Sequence, residues 1–206
     1  MKKIVTTLAV IATLFMASSQ LTAQEKAMTF GIKGGANLSN FRLGGDMKNY
    51  KSEMNAGGSL GSFIKYDISP YFAIQSGFDT HYRTSDMKSK QDNSTVKFKY
   101  LGMEIPVYAI YQMPIGNGKL FVGAGPFVGF GMSAKLDGKK LFKKDTETGK
   151  AIMDRWDYGI GSIAGFDFGK RWQIKASYQF GLIDLYKSKS SSMRSQALNI
   201  GVVFKY

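Results

Sequence analysis

The sequence predicts an all-β chain: an eight-stranded antiparallel up-and-down transmembrane β-barrel, one domain behind an export signal. Three observations carry this. Apolar and polar residues alternate over eight separate stretches, the period-2 mark of a strand with two unlike faces. The connections between those stretches alternate long and short, as in outer-membrane barrels with long external loops and short periplasmic turns. Among 206 residues there are 24 glycines, 15 phenylalanines and 11 tyrosines against 4 prolines, a composition that favours many short strands. Cysteine is absent, which excludes disulfides, thiolate metal sites and cysteine nucleophiles.

Residues 1–23 read as a signal peptide. Lys2 and Lys3 precede the uncharged run Ile4 to Ala17, and Ser18 to Ala23 follow, small or polar except for Leu21. A basic head, a short apolar stretch and a small-residue end make a secretory signal. The run falls short of the roughly 20 apolar residues that a membrane helix needs. Cleavage is expected after Ala23, with Gln24 as the mature N-terminus and 24–206 as the barrel domain. The whole chain carries 28 basic and 15 acidic residues, a net of +13. Such a balance suggests nucleic acid in a cytoplasmic protein, but export removes that partner.

The strands follow in order. The first sets Phe30, Ile32 and Leu38 against Gly31, Lys33, Gly35, Asn37 and Ser39. The second, weaker, sets Leu60, Ile64 and Tyr66 against Gly61 and Lys65. The third sets Phe72, Ile74, Phe78 and Tyr82 against Gln75, Gly77, Asp79, His81 and Arg83. The fourth carries Leu101, Met103, Ile105, Val107, Ala109 and Tyr111 opposite Tyr100, Gly102, Glu104 and Tyr108. In the fifth, Leu120, Val122, Ala124, Val128, Phe130 and Met132 oppose Gly123, Gly125, Gly129, Gly131 and Ser133. The sixth opposes Tyr158, Ile160, Ala164, Phe166 and Phe168 to Asp157, Gly159, Gly161, Gly165 and Asp167. In the seventh, Trp172, Ile174, Ala176, Tyr178, Phe180 and Leu182 face away from Gln173, Lys175, Ser177, Gln179 and Gly181. The eighth closes the chain with Leu198, Ile200, Val202, Phe204 and Tyr206 opposite Asn199, Gly201 and Lys205.

Residues 42–53, 84–95, 134–154 and 187–195 read as long polar connections, and 67–70, 112–118 and 168–171 as tight turns. An even strand count puts both termini on one side, the periplasmic one. A soluble eight-stranded barrel would carry its apolar face inside. The glycine-crowded polar face instead suits the cramped interior of a small barrel. Trp172, Tyr186, Tyr66, Tyr71, Tyr111 and Tyr206 lie towards strand ends, where a membrane barrel has its aromatic girdles. Apolar stripes of roughly 9–11 residues match a tilted strand crossing hydrocarbon.

Particular residues also resemble a known family. Gly31-Ile32-Lys33-Gly34-Gly35-Ala36-Asn37-Leu38-Ser39 follows the signal peptide, and Tyr100-Leu101-Gly102-Met103-Glu104-Ile105-Pro106 and Gly123-Ala124-Gly125-Pro126 come later. Ser177-Tyr178-Gln179-Phe180-Gly181-Leu182 and the terminal Asn199 to Tyr206 complete the order. This series resembles the PorT-like, or porin-family, outer-membrane β-barrel proteins over essentially the whole mature chain. The resemblance implies an outer-membrane location and an eight-stranded barrel, and it assigns no activity. The terminal strand ending in Tyr206 is similar to the signal read by the barrel-assembly machinery, an expected partner during insertion.

Of the interior set, Glu104 stands out, because a carboxylate between apolar neighbours must face the lumen and needs a partner there. Lys33, Arg83 and Lys175 are its candidate bases, and Asp79, Asp157 and Asp167 join them in an expected lumen charge network. His81 is the only histidine; with Asp79, Ser85 or Asp86 it sketches the acid–base set of a lipid-modifying enzyme. Its lumen phase turns it away from lipid, so a filler role is favoured. Gly123 to Gly129 has the look of a dinucleotide fingerprint but lies inside a strand and opens no helix. No cofactor or metal is expected.

Residues 42–53, 83–99, 133–155 and 186–195 hold 18 basic and 8 acidic residues. Lys88, Lys90, Lys139, Lys140, Lys143, Lys144, Lys187 and Lys189 are therefore candidate contacts for lipopolysaccharide phosphates. The sequence thus points to a small, monomeric, non-enzymatic outer-membrane barrel with a structural or surface-interaction role and a closed lumen. A narrow solute or ion channel is the alternative, and a lipid-modifying enzyme the third reading. Export is directly testable: the protein should be recovered from the outer-membrane fraction with Gln24 at its N-terminus and heat-modifiable migration on gels. Recovery as a detergent-free periplasmic monomer would contradict the reading.

Overall fold

In the computed structural model, residues 28–90, 94–142, 151–186 and 191–206 are described; the expected signal peptide and cleavage point lie outside them. The strands are β1 (Met28–Gly45), β2 (Tyr50–Asp67), β3 (Phe72–Ser89), β4 (Thr95–Ile115), β5 (Gly118–Leu136), β6 (Lys139–Lys140), β7 (Trp156–Phe168), β8 (Trp172–Gly181) and β9 (Ser191–Lys205). A single 3-10 turn, Asp46–Asn49, joins β1 to β2. Eight strands pair with their neighbours in the order β4-β3-β2-β1-β9-β8-β7-β5, and β4 pairs with β5 to close the ring. The two-residue β6 stands outside the ring on the edge of β5. All of these pairings are antiparallel.

Closure is what lipid demands. A backbone amide in hydrocarbon finds no water, so only a sheet without edges crosses a membrane as strands. The outer wall is apolar: Ile32, Leu60, Ile74, Ile105, Val122, Ile160, Ile174 and Ile200 all project outward and exposed, Leu60 at 70% and Ile200 at 61%. At the end carrying the described termini, Tyr66, Tyr71, Tyr111, Trp172 and Tyr206 form an exposed aromatic collar. Edge-to-face contacts knit part of it together, Trp172 to Phe204 at 5.1 Å and Phe204 to Tyr206 at 5.4 Å.

Turns at this end are tight. Gly116 has φ 56° in the two-residue loop between β4 and β5, and Gly169 has φ 58° between β7 and β8; both lie in the region where a side chain is strained. Inside the wall, a Cβ on Gly161 would sit 2.9 Å from the Tyr108 hydroxyl and 3.1 Å from its ring. That glycine makes room for a tyrosine laid against the neighbouring wall.

Five expectations are corrected. Residues 42–53 are mostly wall, because β1 runs to Gly45 and β2 begins at Tyr50; residues 84–89 are likewise wall, because β3 reaches Ser89. Above the hydrocarbon both faces of a strand meet polar surroundings, so the hydropathy alternation fades while the ladder continues. For the same reason 112–118 narrows to Gly116-Asn117, the rest being β4 and β5. Ser133 leaves the lumen phase: a bulge at Leu101–Gly102 inserts an extra residue in β5 and brings Ala134 inside instead. Tyr186 is no girdle residue. It bridges to Met153 and packs over the mouth of the barrel, because the chain beyond β8 turns inward.

The two faces predict unequal tolerance. Ile200→Arg or Val202→Arg puts a charge on lipid and should cost roughly 2–4 kcal/mol near the midplane. Asn199→Gln, on the lumen side, should cost far less. Urea titration of the refolded barrel in lipid vesicles reads the difference, and equal costs would contradict the assigned faces.

Candidate functional site

Alternation sends every second side chain into a ring just wide enough for side chains to fill, so the lumen is where the chemistry collects. Its contents are stacked in four tiers. Nearest the termini, Lys205 pairs with Asp167 at 3.1 Å, and Lys65 lies 3.5 Å from Asp67 and 3.9 Å from Asp167. Gln112 and Gln173 complete this tier, donating to Asp67 and Asp167, each at 2.8 Å. Above it is a small apolar layer of Ala73, Tyr108, Ile110, Phe121 and Ile163.

The third tier holds Glu104. Its carboxylate is 2% exposed and takes Arg83 Nη2 at 3.2 Å. The same Arg83 nitrogen donates to Gln179 Oε1 at 2.8 Å, and the Gln179 amide returns a hydrogen bond to Glu104. Asn199 donates to Gln179 at 3.3 Å. Three residues from β3, β4 and β8 thus close a ring of hydrogen bonds, and Asn199 of β9 is attached to it. Beside it, Lys33 and Asp79 pair at 2.7 Å. A cavity of about 30 Å³ lies between these groups, lined also by Lys175, His81 and Tyr108; it has room for water but not for a solute.

The fourth tier closes the opposite end. Phe41, Met87, Phe98, Tyr100, Leu141, Met153, Leu185 and Met193 are buried together there, with Phe142, Ile152 and Tyr186 packed against them. Phe41 meets Phe98 edge-to-face at 4.6 Å. The segments around 141, 153 and 185 fold inward to complete this plug, tied by Leu141 N–H to Ala134 O at 3.0 Å and Leu185 N–H to Met193 O at 2.9 Å.

Of the residues that the sequence groups in one lumen network, the structure brings Glu104 to Arg83 and Lys33 to Asp79. Asp167 stands a tier away with Lys65 and Lys205, and Asp157 is held separately by Ser195. Lys175 lines the cavity but forms no ion pair among the described residues. His81 is 4% exposed and stacks on Tyr100 at 5.7 Å. The residues grouped with it are not brought to it: Asp79 is bonded to Lys33, Ser85 to Ser52 and the Glu53 carbonyl, and Asp86 has the outward phase. No group of three or more metal-ligating side chains occurs among the described residues.

Among the candidate phosphate contacts, Lys88 pairs with Glu53 at 2.9 Å, and Lys90 donates to the Lys48 carbonyl at 2.7 Å. Lys139 and Lys140 are exposed on β6, beyond the turn of Asp137 (φ 45°) and Gly138 (φ 82°). Lys143, Lys144, Lys187 and Lys189 lie outside the described residues. Sequence reasoning missed Gln179, Gln112 and Gln173 as partners, although their lumen phase was readable. It also missed the plug, for which Phe41, Met87 and Phe98 on the polar phase were the signal.

A family model described as an outer membrane protein beta-barrel domain matches residues 19–187. Among solved structures, the outer membrane protein OprG from Pseudomonas aeruginosa is similar at 13% identity and TM-score 0.54, over 88% of this chain and 97% of that one. Neisserial surface protein A is 19% identical with TM-score 0.48, over 86% and 97% of the two chains. Ail, the attachment invasion locus protein of Yersinia pestis, is 14% identical with TM-score 0.45, over 86% and 98%. The likeness to OprG is one of fold. No curated protein matches the chain.

The Glu104 ring makes a direct prediction. Removing one partner of a buried ion pair strands the other, at about 3–5 kcal/mol, whereas replacing both can be nearly neutral. Glu104→Gln should therefore destabilise the refolded barrel, and adding Arg83→Met should recover much of the loss. Trp156 and Trp172 give the fluorescence signal for a urea titration; additive losses in the double variant would contradict the pairing.

Proposed function

The chain belongs to the outer-membrane protein β-barrel domain family, and from that premise we propose that it serves as a small, monomeric, non-enzymatic barrel with a closed lumen and a surface-interaction role. The stacked lumen is the observation that carries this reading. Among the described residues, a path along the axis meets two ion-paired tiers and two apolar ones. A conducting pore needs a continuous wet route, and eight strands leave an interior only wide enough for side chains.

The reading places the termini and the short turns in the periplasm and the plugged end outside. Outer-leaflet lipopolysaccharide is densely anionic, so a basic rim at the plugged end would meet its phosphates through charge-assisted hydrogen bonds. His81 supports the non-enzymatic part, since a ring buried against Tyr100 inside the barrel cannot reach a lipid on the outer wall. The barrel-assembly machinery is the expected partner during insertion.

Planar bilayers test the closed lumen. The purified barrel should give no discrete conductance steps at high salt. Regular steps whose ion selectivity changes in Glu104→Gln would replace this reading with that of a narrow channel.

A further inference from the structure

The wall has a slot in it. β1 and β2 pair without a break from Met28–Tyr66 to Ser39–Asn55, and there their ladder ends although both strands continue. On its other edge β1 stays paired with β9 as far as Gly45–Ser191, and β2 with β3 as far as Tyr50–Ser89. The two halves of the wall therefore part above Ser39. Phe41 N–H bridges them by donating to Ser52 Oγ at 2.9 Å, and the 3-10 turn Asp46–Asn49 closes the top.

The slot is an open recess of about 420 Å³. Its lining includes four cations, Arg42, Lys48, Lys51 and Lys90. Glu53 lies 4.0 Å from Lys51 and is engaged more closely by Lys88 at 2.9 Å. Lys90 is fixed in place by its own N–H on the Asn49 carbonyl at 2.8 Å and its ammonium on the Lys48 carbonyl at 2.7 Å. An ammonium carries three donors, so this anchoring leaves others free. Four like charges around one recess repel one another and favour an anion between them.

We infer that this slot seats a phosphate of an outer-leaflet glycolipid of the lipid A class. The choice of a lipid over a soluble anion comes from what lies beneath. Leu38 and Ile32 on β1 and Leu60 on β2 are exposed on the outer wall of the same two strands. A molecule with acyl chains along that apolar strip presents its headgroup at the slot. Arg42 supplies a planar fork suited to two phosphate oxygens, and the lysines supply point charges. The inference rests on the reading that the plugged end meets the outer leaflet.

The test compares two variants of the refolded full barrel, both checked for heat-modifiable migration. One replaces Arg42, Lys48, Lys51 and Lys90 by Ser; the other replaces Lys88, Lys139 and Lys140 by Ser. Each is titrated in detergent with bisphosphorylated lipid A, with dephosphorylated lipid A and with inorganic phosphate. The slot variant should lose at least about tenfold in affinity for bisphosphorylated lipid A, and the second variant less than about threefold. Dephosphorylated lipid A should bind the unaltered protein as weakly as the slot variant binds the phosphorylated form. Should the fourfold change prevent folding, Arg42→Gln and Lys90→Gln alone should each weaken binding about threefold. Loss of binding in the second variant only would overturn the slot and leave the outer-leaflet reading intact. Absence of lipid A binding by the unaltered protein would overturn both. Inorganic phosphate binding as tightly as lipid A would make this a general anion site and overturn the choice of lipid.

Discussion

Everything in this molecule depends on the closure of eight strands into a ring in which each strand pairs with a neighbour on both sides. Hydrocarbon supplies no competing hydrogen bonds, so an open edge there would cost several kcal/mol per amide. The β4–β5 and β1–β9 ladders remove the last two edges. Once the ring is closed, its small radius dictates the rest. Half the side chains of each strand are forced into a space without bulk water, and each polar one must find a partner inside. The Arg83–Glu104–Gln179 ring and the Lys205–Asp167 pair are answers to that demand. They are also why the barrel is filled rather than hollow.

Where water returns, the constraint loosens, and the irregular features gather there. The β1–β2 ladder stops at Ser39–Asn55, the β4–β5 ladder takes a bulge at Leu101–Gly102, and the segment after β8 bends in over the mouth. The plug is assembled from side chains that strand phase carries inside, Phe41, Met87 and Phe98, and from inward-folded Leu141, Met153 and Leu185. A polar lumen capped by an apolar stopper separates the buried charges from the solvent on that side. The slot, by contrast, faces outward and is lined with cations, so the two features at one end serve different surroundings.

Much of this was legible in the sequence. Glu104 among Met103 and Ile105, or Ile200 and Val202 around Gly201, places each residue on a face without any knowledge of the partner strand, because the period is two and lipid fixes which face is apolar. Register and interior pairing were less legible. Arg83 could be seen as one of three bases for Glu104, but choosing it required the height of each strand in the ring, which no local pattern encodes. Gln179 carried the right phase, yet an uncharged amide gives no signal that it will link Arg83 to Glu104. Strand ends were misread at 42–53 and 84–95 because the apolar outer face disappears above the membrane while the ladder persists. The Phe41–Phe98 plug broke the expectation of a polar lumen. It is local in space but drawn from five distant parts of the chain.

The most direct test of the filled lumen uses the absence of cysteine, which gives a single introduced thiol no background. Ser177, buried in the third tier, and Lys139, exposed on β6, are each replaced by Cys. The rate of reaction with a cationic methanethiosulfonate is then measured for the barrel in lipid vesicles. A closed lumen requires Ser177→Cys to react on the order of a hundredfold more slowly than Lys139→Cys, with the difference vanishing in denaturant. Comparable rates in the folded barrel would mean that water and solutes pass freely along the axis, and the filled-lumen account would be wrong.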